Sequence, residues 1–265
     1  MSAFLSRLAL AAFIALSCSA SLAHAEPAGQ WQLGAEGFYD NYKEPDPNVR
    51  LDNDALYGSL TAGYTATGHS SYNAFDARLS LGRSDYSSVS GTSENAAQVE
   101  AEFRLRTGFH FDYAGGSVNP YLGLGARLYY DHSQNIVTSL GYVGYDRQIA
   151  QFYIPVGIDM AFPAGAWTIK PTIEYDQLFY GKVNSKLSQA GGNYSDISNT
   201  QHDGYGLRGS IMFGHEWMGY QWEIGPFARY WNIDESSINT DRIGRRWVEP
   251  DNERLQAGIA VKVAF

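Results

Sequence analysis

The sequence predicts an all-β fold, an antiparallel up-and-down transmembrane β-barrel of about ten strands that follows a cleaved signal peptide. Three observations predict it. Segments in which polar and apolar residues alternate recur along the chain, as expected for strands with two different faces. Long and short connections alternate between these segments. Aromatic residues stand at the ends of the apolar faces, where amphipathic rings meet a membrane boundary.

The first element is a leader sequence. Arg7 precedes an apolar run over residues 8–16, and the tripeptide AHA at residues 23–25 has the small residues of a cleavage site. A positive start, a short apolar stretch and such a site predict a signal peptide over residues 1–25. The barrel domain is then residues 26–265.

The cysteine content, net charge and hydropathy of the chain exclude several classes of function. Lipid attachment at Cys18 is an alternative to simple cleavage, although Leu16 lies one place later than a lipobox requires. Beyond Cys18 the chain has no cysteine, which excludes disulfides and thiol chemistry. With 28 acidic and 19 basic residues the net charge is −9, so nucleic acid is not an expected partner. No later segment is long and apolar enough for a transmembrane helix.

The clearest strand lies in "ENAAQVEAEFRLRTGFHFDY", residues 94–113. Val99 and Leu105 belong to its apolar face, whereas Glu100 and Arg104 belong to its polar face. A membrane strand needs about 9–11 residues, and most of the segments provide them. The ten predicted strands, in order, are residues 30–41, 56–64, 72–82, 94–113, 121–131, 151–162, 167–176, 205–216, 220–231 and 255–265.

The connections predict how the strands are arranged. Long ones are expected at residues 43–54, 85–96, 132–147, 181–203 and 234–253, and short ones at 67–71, 114–119, 163–166 and 218–219. In a meander this rhythm places all long loops at one end and all tight turns at the other. Eight or twelve strands remain alternatives, because the last long loop could contain a hairpin and segment 56–64 is weak. A secreted soluble β-sandwich or barrel is the other alternative.

Together these features resemble the bacterial outer-membrane β-barrel proteins along the whole of residues 26–265. The ending "IAVKVAF" is similar to their C-terminal sorting signal, with the aromatic Phe265 in last place. Val263 departs from the pattern, since many such proteins have an aromatic residue there. The resemblance implies an integral protein of a Gram-negative outer membrane, both termini in the periplasm, and recognition by the barrel-assembly machinery during biogenesis.

The polar faces of the strands would then line the barrel interior. Buried charges persist only when they are paired and hydrogen-bonded, so a balanced set predicts a salt-bridge network. Ten strands leave little more room than side chains fill, which predicts a largely plugged lumen. A narrow pore for ions or small solutes is the alternative. The predicted network comprises Glu100, Glu102, Arg104, Arg106, Arg127, Glu174, Arg208, Glu223 and Arg229, with further inward charges such as Glu36, Asp76, Arg78, Asp159, Lys170, Arg254 and Lys262.

An enzymatic role is the third alternative. Omptin proteases are ten-stranded barrels, and the pairs Asp131-His132 and His202-Asp203 would lie near the outer mouth. Neither pair has the omptin spacing. A resemblance to the lipid-modifying outer-membrane barrels would imply a Ser and a His on the lipid-facing surface. No histidine is expected on that face. His110 is expected to point inward, beside Glu102 and Arg106. No catalytic residue, cofactor or metal site is therefore predicted.

The long loops carry the remaining prediction. They are polar, acidic and rich in Gly, Tyr and Asn, which is typical of mobile surface segments that contact other molecules. Arg242, Arg245 and Arg246 form a basic patch that could contact lipopolysaccharide phosphates. The predicted function is structural or interactive, through the outer-membrane lipid and an extracellular ligand of the loops.

Overall fold

The computed structural model describes residues 28–265, so the predicted signal peptide and Cys18 lie outside the described residues. Fourteen β-segments are present in this part of the chain. In chain order they are β1 (Ala28–Glu44), β2 (Leu51–Thr67), β3 (Ser71–Ser88), β4 (Gly91–Phe109), β5 (Phe111–Tyr113), β6 (Gly116–His132), β7 (Arg147–Ala164), β8 (Trp167–Ser185), β9 (Ile197–Gln201), β10 (Gly204–Trp217), β11 (Tyr220–Ile233), β12 (Asn239–Thr240), β13 (Arg246–Trp247) and β14 (Asn252–Ala264).

Ten of these segments form one closed antiparallel barrel. The order of neighbours is β1-β2-β3-β4-β6-β7-β8-β10-β11-β14, and β14 pairs with β1 to close the ring. Each strand pairs with its neighbour in sequence, as the alternating pattern predicts, and closure leaves no unpaired sheet edge. The prediction of ten strands is confirmed. In residues 28–265 no helix has the length and apolar character needed to cross a membrane.

The other four segments are short additions at the barrel ends. β5 pairs with the start of β6, and β9 pairs with the end of β8 beside a single 3-10 turn at Leu187–Gln189. β12 and β13 form a two-residue ladder within the last long loop. The hairpin considered as a source of extra barrel strands therefore exists, but it lies outside the barrel.

The two ends of the barrel differ as predicted. At one end the strands are joined by tight turns, of which Ala114-Gly115 and Met218-Gly219 have positive φ at both residues. This geometry matches the type I′ hairpin, whose twist fits the flanking strands. At the other end lie the loops 133–146, 186–203 and 234–251. We call these the short-turn end and the long-loop end.

Two predicted long loops are shorter than expected. The loop predicted at residues 43–54 is confined to residues 45–50. In place of the loop predicted at residues 85–96, β3 and β4 continue past the barrel as a hairpin that turns at residues 89–90. The predicted strands stop short of these extensions, where polar residues replace apolar ones on the outward face. Beyond the membrane, however, a strand can be polar on both faces and still keep its ladder of backbone hydrogen bonds.

The outer wall of the barrel is apolar. Leu56, Leu60, Leu124 and Ile173 are each 60% or more exposed, which would be costly in water over so large a surface. Inward positions on the barrel strands are buried, including those of Phe38, Tyr57, Tyr153 and Trp231. The described chain is thus an inside-out fold, with apolar side chains outside and ionic ones within.

Candidate functional site: the closed lumen

Side chains from opposite walls meet in the middle of the lumen. Glu100 and Glu102, both on β4, are 0% and 4% exposed. Arg208 from β10 reaches across to Glu102, with its Nη1 3.0 Å from Oε2 and its Nη2 bonded to Oε1. Arg254 from β14 places Nη2 3.0 Å from Glu100 Oε2. These bridges join strands that are far apart around the ring, so they fill its cross-section.

Further groups complete this layer, which we call the plug. Arg78 from β3 links the two glutamates, bonding Glu100 Oε1 and lying 3.1 Å from Glu102 Oε2. The Tyr153 hydroxyl donates to Glu102 at 2.7 Å. Arg254 Nε donates to Asp40 at 2.7 Å. The plug is defined as Asp40, Arg78, Glu100, Glu102, Arg127, Tyr153, Glu174, Asp176, Arg208, Arg254 and Gln256.

The plug contains five carboxylates and four guanidinium groups, and Arg104 at its edge supplies a fifth cation. Glu174 accepts from Arg104 Nη1 at 2.6 Å and from the Tyr121 hydroxyl at 2.7 Å. Asp176 accepts from Arg208 Nε at 2.6 Å. Aromatic rings cover the guanidinium groups, since Arg208 lies 5.8 Å from the Trp231 ring centroid and Arg127 lies 5.3 Å from it. Every charged plug residue lies within 4.0 Å of an opposite charge, which allows these charges to persist away from water, although Arg78 Nε, Arg127 Nε and Asp176 Oδ1 are buried without a hydrogen-bond partner.

All nine network residues predicted from the sequence point inward and each lies within ion-pair distance of an opposite charge. Arg127 makes the longest contact, 3.8 Å from its Nε to Glu100 Oε1. Glu223 pairs with Lys170 at 2.5 Å, and Arg229 pairs with Glu36 at 2.7 Å. Arg106 lies 2.5 Å from Asp159. These pairs do not all belong to one layer, because the last three lie nearer the short-turn end.

Below the plug, toward the short-turn end, the lumen opens into a cavity of about 430 Å³, which we call the vestibule. Residues at the strand ends, such as Gln30, Thr67 and Ser117, line its mouth. The plug residues Arg78, Glu102, Glu174 and Arg208 line its inner end. The vestibule is therefore a blind pocket that ends at the plug.

A second closure lies at the long-loop end. Arg147 at the start of β7 bonds Glu249 of the last loop, and its Nη1 lies 3.4 Å from Glu44 Oε1 at the end of β1. We call these three residues the outer lock. Sequence reasoning missed it because all three residues lie in or beside predicted loops. Asp40 and Asp176 were also missed, although Asp176 is the next inward position after the predicted Glu174 and Asp40 lies four residues after the predicted Glu36.

The histidines lie elsewhere than predicted. His110 is not beside Glu102 and Arg106; it lies next to the short turn, where Nδ1 is 2.7 Å from Asn119 Oδ1. His215, within the predicted strand 205–216, faces outward with its ring centroid 4.9 Å from that of Trp167, so the expectation of no outward histidine was wrong. His132 also faces outward, at the end of β6 and one residue beyond the predicted strand. Its partner is Asp146 at 2.9 Å, not the adjacent Asp131.

Asp146 joins two long loops. It accepts from the Tyr130 hydroxyl at 2.8 Å and from the backbone N–H of Gln134 at 3.2 Å. Its own backbone N–H donates to Gln189 Oε1 at 2.8 Å, which connects loop 133–146 to loop 186–203. Within residues 28–265 no group of three or more His, Cys, Asp or Glu side chains is arranged to hold a metal ion.

The three predicted lipopolysaccharide-binding arginines differ in their surroundings. Arg242 and Arg246 are exposed, whereas Arg245 is held within its own loop. Arg245 Nε donates to Asp241 at 2.7 Å, and its guanidinium lies 4.7 Å from the Tyr194 ring centroid. Burial raises the pKa of Asp241, but hydrogen bonds from Trp247 and Arg245 outweigh it and hold that pKa below the ordinary aspartate value.

The remaining predicted site residue, Phe265, lies at the short-turn end and is 57% exposed. Its backbone N–H and C=O pair with Trp31 at 3.0 and 3.1 Å, so the two ends of the described chain meet there.

Comparison with solved structures identifies the class of this architecture. No family model matches the chain, and no curated protein matches it in sequence. Among solved structures, the outer membrane protease OmpT from Escherichia coli superposes with a TM-score of 0.58, covering 92% of this chain and 99% of that one at 8% identity. The chain therefore has the architecture of an outer-membrane β-barrel. At 8% identity the likeness to OmpT extends to the fold alone.

Two autotransporter domains also match, at lower TM-scores. The translocator domain of NalP from Neisseria meningitidis gives 0.42 at 13% identity, covering 98% of this chain and 97% of that one. The β domain of BrkA from Bordetella gives 0.39 at 11% identity, covering 86% and 98%.

Proposed function

We propose that this protein is a closed outer-membrane barrel whose role is structural or interactive, exercised through its outer wall and its long loops. The observation that carries the proposal is the plug, in which Arg208 and Glu102 join opposite walls of the lumen. A barrel closed in this way stabilises the envelope and displays loops, but it does not pass solutes by free diffusion.

The experiment is conductance in planar lipid bilayers after refolding. Wild-type protein should give no large, steady current steps. The double change Glu102→Ala with Arg208→Ala removes both charges together and should raise conductance, whereas Lys182→Ala on the outer wall should not. Large, steady wild-type steps would favour the alternative, a narrow pore for ions or small solutes.

The proposed orientation is the long-loop end outside the cell and the short-turn end, with both termini, in the periplasm. The pairing of Trp31 with Phe265 supports a shared side for both termini. In this orientation the terminal Phe265 is available to the barrel-assembly machinery during insertion. Protease added to intact cells should cut the loops and spare an epitope attached after Phe265; loss of that epitope would reverse the orientation.

The proposed partners at the cell surface are lipopolysaccharide and an extracellular ligand of the loops. Arg242 and Arg246 are free of the contacts that hold Arg245, so they are the two arginines assigned to lipopolysaccharide phosphates. Changing both to Ala should reduce co-purified lipopolysaccharide, while Arg50→Ala in the first loop should not. Equal retention in all three proteins would remove lipopolysaccharide from the list of loop partners.

A second candidate function, outer-membrane hydrolysis, is favoured by one observation. His132 Nδ1 lies 2.9 Å from Asp146, and a carboxylate in this position can orient an imidazole as a general base. Purified protein would be mixed with fluorogenic peptides and with phospholipid vesicles. Hydrolysis that is lost in His132→Ala and kept in the control His202→Ala would support this function; no hydrolysis by wild type would end it.

A further inference from the structure

A groove on the outer wall of the barrel lies where lipid-facing residues give way to polar ones. It runs along β2 and β3 near the long-loop end and has a volume of about 690 Å³. Leu56 and Leu81, which are 73% and 60% exposed, belong to its apolar part. Two residues further toward the long loops, the same outward faces carry Asp54 and Arg83. The groove therefore crosses the boundary between the hydrocarbon and the headgroups of the membrane.

Three charged side chains line the polar part of the groove, namely Asp54, Arg83 and Asp85. Within residues 28–265 none of the three forms an ion pair. Asp54 accepts hydrogen bonds from the Tyr39 hydroxyl and from the side-chain amide of Asn41, which are both neutral donors. One positive and two negative charges thus face the groove without a contacting countercharge.

The backbone fixes the position of the two carboxylates. Asp54 and Asp85 lie directly opposite each other in the register of β2 and β3. Like charges in this arrangement destabilise a sheet, so a cation placed between them would be stabilising. A β-bulge in the pairing of β3 with β4 lies at Asp85. In this bulge the backbone N–H of Asn95, which has a φ of +63°, donates to Asp85 at 3.1 Å and holds the carboxylate in place.

The cation and the carboxylates follow one another along the strands. Arg83 and Asp85 are two residues apart on the same face of β3, a separation of roughly 7 Å along the strand. In register, Arg83 lies opposite Leu56 and Asp85 lies opposite Asp54. A ligand that extends along this face from the hydrocarbon meets apolar side chains first, then the guanidinium group, and then the two carboxylates.

We propose that this groove binds a phospholipid whose headgroup joins a phosphate to a primary ammonium group, as in phosphatidylethanolamine. Its groups have the same order as the side chains: acyl chain against Leu56 and Leu81, phosphate on Arg83, ammonium between Asp54 and Asp85. Arginine binds phosphate through paired N–H donors, and an ammonium group can donate to both carboxylates. An anionic headgroup would add negative charge beside the carboxylates, and a quaternary ammonium group has no N–H to donate.

The test uses a fluorophore beside the groove and lipids with brominated chains, which quench it on contact. Beyond Cys18 the chain has no cysteine, so Val99→Cys, next to Leu81 in register, provides a single labelling position. Ile173→Cys on β8 is the control position on another part of the wall, where the side chain is 66% exposed. Phosphatidylcholine vesicles receive brominated phosphatidylethanolamine, phosphatidylglycerol or phosphatidylcholine in turn.

At Val99→Cys, brominated phosphatidylethanolamine should bind about fivefold more strongly than either other lipid. This ratio is the upper limit for one exposed ion pair, which suits a site at the edge of the hydrocarbon. The three lipids should bind alike at Ile173→Cys.

Charge substitutions separate the two parts of the headgroup. Arg83→Gln should abolish the preference, because the phosphate loses its cation. Asp54→Asn combined with Asp85→Asn should reduce phosphatidylethanolamine to the level of phosphatidylcholine and raise the binding of phosphatidylglycerol, because the carboxylates no longer repel it. Lys182→Gln and Glu216→Gln, which change exposed charges away from the groove, should leave the preference unchanged.

Equal quenching by the three lipids at Val99→Cys would overturn the inference, and so would the same preference at Ile173→Cys. Loss of the preference in EDTA would also overturn it, because a divalent cation would then occupy the place of the ammonium group. Displacement of the brominated lipid by an equal concentration of lipopolysaccharide would assign the groove to lipopolysaccharide instead.

The inference rests on the part of the proposed function that is exercised through the outer wall, and it does not depend on the plug. Conductance therefore distinguishes the two failures. A non-conducting barrel without a lipid preference would refute the groove as a binding site and retain the plug. A conducting barrel with the preference would retain the binding site and refute the plug.

Discussion

Glu102→Gln is the sharpest test of the plug as a stabilising element. The substitution keeps the shape of the side chain and removes one negative charge. In the wild type this carboxylate accepts hydrogen bonds from Arg78, Arg208 and Tyr153. A glutamine amide would turn an NH₂ group toward guanidinium donors, leaving two buried cations with one acceptor fewer.

The expected magnitude follows from what each arginine retains. Removing one partner of a buried ion pair costs about 3–5 kcal/mol. Arg78 keeps Glu100, and Arg208 keeps Asp176 at 2.6 Å, so neither cation is left alone. We therefore expect a loss near the lower limit, about 3 kcal/mol. Tyr153→Phe removes one hydrogen bond to the same carboxylate and should cost about 2 kcal/mol.

The assay is guanidinium unfolding of the barrel refolded in lipid vesicles, followed by tryptophan fluorescence. Glu235→Gln, the same chemical change on an exposed loop, is the matched control and should alter stability by no more than about 0.5 kcal/mol. If the free energies of unfolding of Glu102→Gln and Glu235→Gln differ by less than about 1 kcal/mol, the plug fills the lumen but does not stabilise the barrel.

Three further predictions concern the loops and the outer wall. The depressed pKa of Asp241 means that the bonded aspartate contributes stability above the ordinary aspartate range and loses it only as pH falls through the lower folded value. In β12–β13, amide protection factors, which correct for the intrinsic pH dependence of hydrogen exchange, should be the same at pH 4 and pH 7. Asp241→Asn should speed that exchange at both pH values, and unchanged rates would contradict the assignment. Asp146→Ala should speed exchange in loops 133–146 and 186–203 together, because it removes the carboxylate that accepts from the Gln134 backbone N–H at 3.2 Å and from Gln189 Nε2 at 3.3 Å; a change confined to one loop would refute the link. A fluorophore at Leu124→Cys should be quenched by brominated lipid and one at Ser59→Cys should not, and the reverse result would invert the barrel.

Alternation along the strands and the rhythm of the connections together predicted the barrel. The strand number and the inward charges follow from a period of two, which persists through each strand and needs no knowledge of the partner strand, and the meander order follows from the alternation of long and short connections. Glu100 and Arg208 could be placed in the lumen in this way although 108 positions separate them in the chain.

The identity of ion-pair partners could not be predicted. Alternation gives the face of a residue but not its height in the barrel, which depends on the stagger between strands. Arg147 and Glu249 pair across the long-loop end, and no local pattern marks either as inward. His132 was misplaced for a related reason, since the outward pattern was ended one residue too early.

The position of the two closures bears on function more than the number of charges does. A solute crossing the barrel would have to pass both the outer lock and the plug, each of which is held by buried ion pairs. The vestibule, in contrast, can be reached from the short-turn end without breaking any of these pairs. Under the proposed function, solutes exchange with one side of the membrane and do not pass across it. This difference between the two ends distinguishes a barrel that binds molecules at one end and displays loops at the other from a barrel that conducts solutes.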